Sequence, residues 1–283
     1  MRRLRLMRRL NPTLIGSLAV LILSGAVLTA HEFWLTVTST RFSPGQTVPF
    51  VIGFGEHLEV PTPGTDMGAT ELYLTDRAGK PVRLAAPVQD EGVDLVNGTI
   101  QSPTEPGFYT IAAALQGKAI HYTASEFQAY LAREQLGSAL AFRRALGEET
   151  REAREIVSMF AKCIIRVGTP PVGDIPMLRT RIELHPVSDP TLLRAGDTFH
   201  VRLFFNNALQ SNAPIVASRY QGGVALPPVN GRTNASGEAD IAFPQAGVWV
   251  VRAVQMIPRA AHQGEPTEWE SYWGSLTVVV RER

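Results

Sequence analysis

Two stretches of this chain carry the same pattern, and that repeat limits the fold more than any other feature. Pro44-Gly45-Gln46-Thr47 runs into Val48-Pro49-Phe50-Val51-Ile52, and Ala195-Gly196-Asp197-Thr198 runs into Phe199-His200-Val201-Arg202-Leu203. Each reads small residue, glycine, polar residue, threonine, then an alternating run. Val48, Phe50, Ile52 and Phe54 fall on one face, as do Phe199, Val201, Leu203 and Phe205, which is the period of a half-buried strand. A second pair follows: Pro106-Gly107-Phe108-Tyr109 and Gln245-Ala246-Gly247-Val248-Trp249, each a turn feeding a strand with an aromatic residue two places after the glycine. Self-similarity of this kind marks one supersecondary unit used twice.

Turn signals at Arg77-Ala78-Gly79-Lys80, Val96-Asn97-Gly98, Val229-Asn230-Gly231 and Ala235-Ser236-Gly237 separate further short strands. Strands at this spacing predict a mainly β fold of two immunoglobulin-like β-sandwich domains, over 31–124 and 161–283. Pro49 lacks a ladder donor, so its strand is expected at a sheet edge. The intervening 125–160 has no proline and many helix formers, and predicts a helical hairpin. Ser125 is the expected N-cap, Phe127, Tyr130, Leu131, Leu136, Leu140 and Phe142 keep helical spacing, Gly147 breaks the run, and a second helix covers 148–160. The Arg/Glu-rich 148–155 reads as a solvated face. Lys162 interrupts apolar sequence and is expected either to snorkel or to be held by an acid. Cys163 is the one cysteine, which excludes an intrachain disulfide; its apolar surroundings predict a buried small hydrophobe.

Residues 1–30 read as a cleaved secretory signal: Arg2, Arg3, Arg5, Arg8 and Arg9, then an apolar run over 14–28, then Thr29-Ala30. The run is about fifteen residues against the roughly twenty a span needs, so an uncleaved anchor is the lesser alternative. Cleavage after Ala26, with Ser24 at −3, competes with cleavage after Ala30. The five arginines account for the chain's basicity: its formal charge is +1, and −4 without them. A nucleic-acid partner, which would want a clustered basic surface, is not expected.

No hydrolase elbow, phosphate loop or paired-cysteine zinc spacing is present. What remains is histidine. If cleavage follows Ala30, His31 offers a free α-amine, titrating at roughly 7.7–8.0, together with its imidazole. Two nitrogens from one residue form a chelate suited to nickel, cobalt, copper or zinc. His57 in Gly55-Glu56-His57 is the expected further ligand, with Glu56 orienting it or ligating directly. His121 and His262 are weaker candidates. His200 points away from the buried face of its strand, and a structural role is expected for His185.

At His31-Glu32-Phe33-Trp34-Leu35, directly after the signal-like segment, the chain resembles domain-of-unknown-function family 4198. The resemblance continues through Phe160-Ala161-Lys162, Val167-Gly168, Arg181-Ile182-Glu183-Leu184-His185-Pro186, Asp189-Pro190, Gly196-Asp197, Gly247-Val248-Trp249, Trp269-Glu270-Ser271-Tyr272 and Ser275-Leu276-Thr277. That family includes periplasmic accessory proteins of nickel/cobalt uptake. The resemblance implies an exported, periplasmic protein of immunoglobulin-like or transthyretin-like character, with His31 used for nickel or cobalt and a membrane metal importer as partner. Where the family commonly has tyrosine-alanine-lysine, this chain has Phe160-Ala161-Lys162. Two other classes compete: a cell-envelope adhesion module without metal, and a copper oxidase using its N-terminal histidine.

Overall fold

The computed structural model describes residues 32–57, 60–61, 70–85, 95–170, 175–221, 224–259 and 267–283. Expectations for residues 1–31, and for His262, lie outside the described residues. In chain order the elements are β1 (Glu32–Val37), β2 (Arg41–Phe42), β3 (Thr47–His57), β4 (Val60–Pro61), β5 (Glu71–Thr75), β6 (Pro81–Arg83), β7 (Leu95–Gln101) and β8 (Gly107–Tyr122). Helices α1 (Ala124–Arg133) and α2 (Gly137–Ala145) and the long β9 (Ala153–Val167) follow. Then come β10 (Ile182–Pro186), β11 (Thr198–Phe205), β12 (Ala208–Leu209), β13 (Pro214–Gln221), β14 (Val224–Ala225), β15 (Val229–Arg232), β16 (Glu238–Ala242), β17 (Gly247–Arg259) and β18 (Glu268–Val280).

A ten-stranded central sheet runs β14-β13-β17-β18-β9-β8-β5-β6, with β15 beside β13 and β2 beside β9. Most of its pairings are antiparallel; β18–β9 and β2–β9 are parallel. Two four-stranded sheets cover it: β1, β3, β4 and β7 form one, and β10, β11, β12 and β16 the other. Alternation along the central strands sends side chains into two separate cores. Tyr109, Ile111, Val157, Met159 and Cys163 join Val48, Phe50 and Ile52 of β3 and Phe127 of α1. Ile164, Val251, Leu276 and Val278 join Phe199 and Val201 of β11. The two cores therefore lie on opposite faces of one sheet, and the boundary expected at residue 161 falls inside β9.

The repeated strands form as their alternation predicts, with Val48, Phe50, Ile52, Phe54, Phe199, Val201 and Leu203 buried. β3 is not an edge strand, because it pairs with β1 on one side and β7 on the other. Pro49 is accommodated because the β1 pairing stops at Phe50, so only β7 borders the strand at Pro49. Two expected turns are strands instead: Val96-Asn97-Gly98 lies in β7 and Val229-Asn230-Gly231 in β15. Their glycines serve packing. A Cβ on Gly98 would stand 2.3 Å from the Phe50 ring, and one on Gly231 would stand 2.9 Å from Ile241.

The helical expectation holds for only half its span. α1 is capped by Thr123 rather than Ser125, through a capping box with Glu126. Gly147 breaks the run as expected, with φ +67°. Beyond it there is no second helix over 148–160; from Ala153 the chain is strand, with Ala153, Glu155, Val157, Met159 and Ala161 facing inward. Nor is 148–155 wholly solvated, since Glu148 and Glu155 are buried. Tyr130 Oη donates to Glu155 Oε1 at 2.9 Å, and burial raises the Glu155 carboxyl above its ordinary range. Cys163 is buried, and desolvation pushes its thiol up to about 12. Among the described residues no helix is long and apolar enough to cross a membrane.

Candidate functional site

β1 begins at Glu32 and is unusually enclosed: Glu32, Phe33, Trp34 and Leu35 are all buried. A strand buried on both faces loses the alternation of a half-exposed one. β1 pairs with β3 in the register Glu32↔Gly55, Phe33↔Phe54 and Trp34↔Gly53. Its other side meets the central sheet, where Ser275 Oγ donates to the Phe33 carbonyl at 2.8 Å. Trp34 packs with Val250 of β17 and Leu95. Its indole occupies the space above Gly53, where a Cβ would lie 2.3 Å from the ring. Gly53→Ala is therefore expected to destabilise the fold by about 1–3 kcal/mol through overpacking, read as a lowered urea midpoint at unchanged slope.

The acid at the head of this strand is held by charge. Glu32 Oε1 accepts from Arg252 Nε at 3.1 Å and from Ser218 Oγ at 3.1 Å. The same guanidinium donates through Nη1 to Glu134 Oε2 at the C-cap of α1. A carboxylate at a helix C-terminus meets the negative end of the helix dipole, so Glu134 depends on its cations. Arg133 supplies a second one, 3.3 Å from Glu134 Oε1. Burial raises the Glu32 carboxyl, an effect Arg252 partly offsets. For Arg252, burial alone would lower the guanidinium pKa; Glu134 and Glu32 together more than reverse that. One side chain of β17 thus ties the N-terminal strand to the end of α1.

The sequence candidates are distributed as follows. Glu56 and His57 lie at the end of β3, where β4 pairs with it at Gly55↔Pro61 and His57↔Val60; their side chains, with His31 and His262, lie outside the described residues. His121 sits exposed near the end of β8, opposite Arg154. His200 is exposed as expected and bonds Asp240 at 2.6 Å. Among the described residues no group of three or more histidine, cysteine, aspartate and glutamate side chains could hold a metal. The Glu32–Arg252–Glu134 clamp was missed from sequence. Its signals were an acid inside His31-Glu32-Phe33-Trp34-Leu35 and an arginine inside Val248-Trp249-Val250-Val251-Arg252-Ala253-Val254. A charge in such a run is tolerated only when paired.

A second buried pair lies on the far side of the β8–β9 junction. Lys162 Nζ stands 2.5 Å from Glu183 Oε1, so the lysine is held by an acid, the second of the two expected outcomes. Glu183 also accepts the backbone N–H groups of Leu178 at 3.0 Å and Arg179 at 2.7 Å. Burial lowers the Lys162 ammonium, opposed by Glu183. For Glu183, burial would raise the carboxyl, but Lys162 and the two N–H donors leave it below its ordinary range.

Three sheets, with two cores on opposite faces of the largest, define a mainly β protein of sandwich type. The sequence profile of a domain-of-unknown-function family (DUF4198) matches residues 28–257, and the chain belongs to that family. No curated protein matches it. Among solved structures it is similar to an intimin fragment, 10% identical over 87% of this chain and 97% of that one, with a TM-score of 0.24. It is similar also to an I-band fragment of titin, 10% identical over 88% of this chain and 66% of that one, with a TM-score of 0.21. Activated Escherichia coli alpha-2-macroglobulin is 11% identical over 87% of this chain, with a TM-score of 0.24; the chain spans 20% of that protein's length. At such scores the strand pairing itself remains the basis for the fold.

Proposed function

We propose that this is an exported, periplasmic protein that binds a divalent transition metal, nickel or cobalt, and passes it to a membrane importer. The ligands in this reading are the α-amine and imidazole of His31 at a processed N-terminus, with His57 and Glu56. The observation that carries it is the β1–β3 register. Glu32, the first residue of β1, pairs with Gly55, the residue that precedes Glu56-His57 on β3. Consecutive Cα atoms are about 3.8 Å apart and paired strands about 5 Å, so the reading requires only that residue 31 continue from Glu32 toward this end of β3. The Arg252 clamp on Glu32 supports the same reading, because a rigid anchor lowers the ordering cost of a terminal ligand. In this reading the two repeats are immunoglobulin-like or transthyretin-like units, and the α1–α2 hairpin joins them in sequence.

The test is calorimetric titration of the chain beginning at His31 with nickel and cobalt. One equivalent is expected to bind, with affinity reduced about 100-fold by His31→Ala and at least tenfold by His57→Ala. Absence of binding, or binding indifferent to His31→Ala, overturns the reading.

A further inference from the structure

The Lys162–Glu183 pair lines a partly enclosed cavity of ≈ 210 Å³ bounded by β8, β9 and β18 of the central sheet and by β10. Ala112, Ala114, Phe160, Tyr73 and Leu178 are among the residues that line it. The sequence creates the space by placing alanine where β8 crosses this face, and the pair belongs to neither hydrophobic core. The lining is mostly apolar and includes one ion pair.

The hydrogen-bond inventory of that pair defines what would fit. An ammonium has three hydrogens, and among the described residues Glu183 is the one partner of Lys162 Nζ. Glu183 is already served by Lys162, Leu178 N–H and Arg179 N–H. Two donors therefore remain on the lysine, beside a carboxylate with three donors of its own. An incoming anion would add a second negative charge next to Glu183 in a desolvated site. An uncharged acceptor oxygen satisfies the lysine without that cost. A cavity of about 150 Å³ suffices for benzene, so this one has room for a ring bearing a small polar group.

We propose that this cavity is a binding site for a small uncharged molecule with an aromatic-sized apolar body and one acceptor oxygen, such as a ketone, accepting a hydrogen bond from Lys162. No part of this rests on the metal reading.

The probes are acetophenone, benzoate and toluene, titrated into the whole chain by ligand-observed NMR. The variants are Lys162→Met/Glu183→Gln, which removes the ammonium and the buried charge together, and Ala112→Leu, which fills the cavity and keeps the pair. Acetophenone is expected to bind the parent chain. Its affinity should fall about tenfold or more in the double variant, the size of one charge-assisted hydrogen bond, and be lost in Ala112→Leu. Tighter binding of benzoate than of acetophenone overturns the assignment. So does equal binding of toluene, acetophenone that is indifferent to either variant, or binding of none of the three.

Discussion

Arg252→Met is expected to lower unfolding free energy by about 3–5 kcal/mol, measured by urea denaturation near neutral pH. The side chain is buried and holds two buried carboxylates, Glu32 on β1 and Glu134 at the end of α1. Removing it leaves both acids without their main counter-charge in a medium that solvates them poorly. The loss is one of charge balance and not of volume, because methionine keeps most of the stem. Adding Glu32→Gln and Glu134→Gln to the same chain is therefore expected to restore more than half of the stability, since a neutral polar set costs far less than an orphaned charge. If the single variant is unaffected, the clamp is not what fastens β1 to the rest of the molecule. If the triple variant is no better than the single one, the loss is packing.

The Lys162–Glu183 pair gives the second large effect. Lys162→Met strands Glu183 at a nearly inaccessible position and is expected to cost about 3–5 kcal/mol. Lys162→Met/Glu183→Gln is expected to recover most of it. The pH dependence carries a sign that separates charge from packing. Glu183's folded pKa lies below its ordinary value, so its contribution is fully present above the usual carboxylate range of about 4.3. It is lost as pH falls through the depressed folded value. The parent chain should therefore lose stability on acidification below about pH 4.3 more steeply than the double variant. Parallel acid-unfolding curves would show that the carboxylate is not held by its lysine.

The elements legible in the sequence are those whose side chains alternate cleanly. β3 and β11 were readable because Val48, Phe50, Ile52 and Phe199, Val201, Leu203 are large, apolar and spaced by two. β8 and β17 were readable from the glycine turns that open them. β9 was not: its inward face carries Ala153 and Glu155 before Val157, so two small or charged residues hide the period and the composition reads as helix. That miss concealed the architecture, because β9 joins β8 of the first repeat to β18 of the second and turns two expected sandwiches into cores on either side of one sheet. Gly98 and Gly231 misled in a related way. Asparagine-glycine is a turn signal locally, but here each glycine makes room for an apolar side chain on a neighbouring strand.

The candidate site was legible in part. His31 and Gly55-Glu56-His57 could be named as candidate ligands from residue chemistry alone, but the register that sets Glu32 against Gly55 is a property of two strands separated by a loop. The charges that matter most for holding β1, Arg252 and Glu134, lie far along the chain from it. They could be suspected from an arginine in an apolar strand, yet not paired with their partners.

The most direct test of the metal reading compares two chains that differ by one residue. The first begins at His31; the second carries a single extra alanine before it, so that imidazole, strand and clamp all persist and only the free amine moves away. Nickel binding measured by calorimetry is expected to weaken at least tenfold in the extended chain, with an extra proton displaced from the amine in the first. Equal affinity and equal proton release in the two would show that the amine of His31 holds no metal.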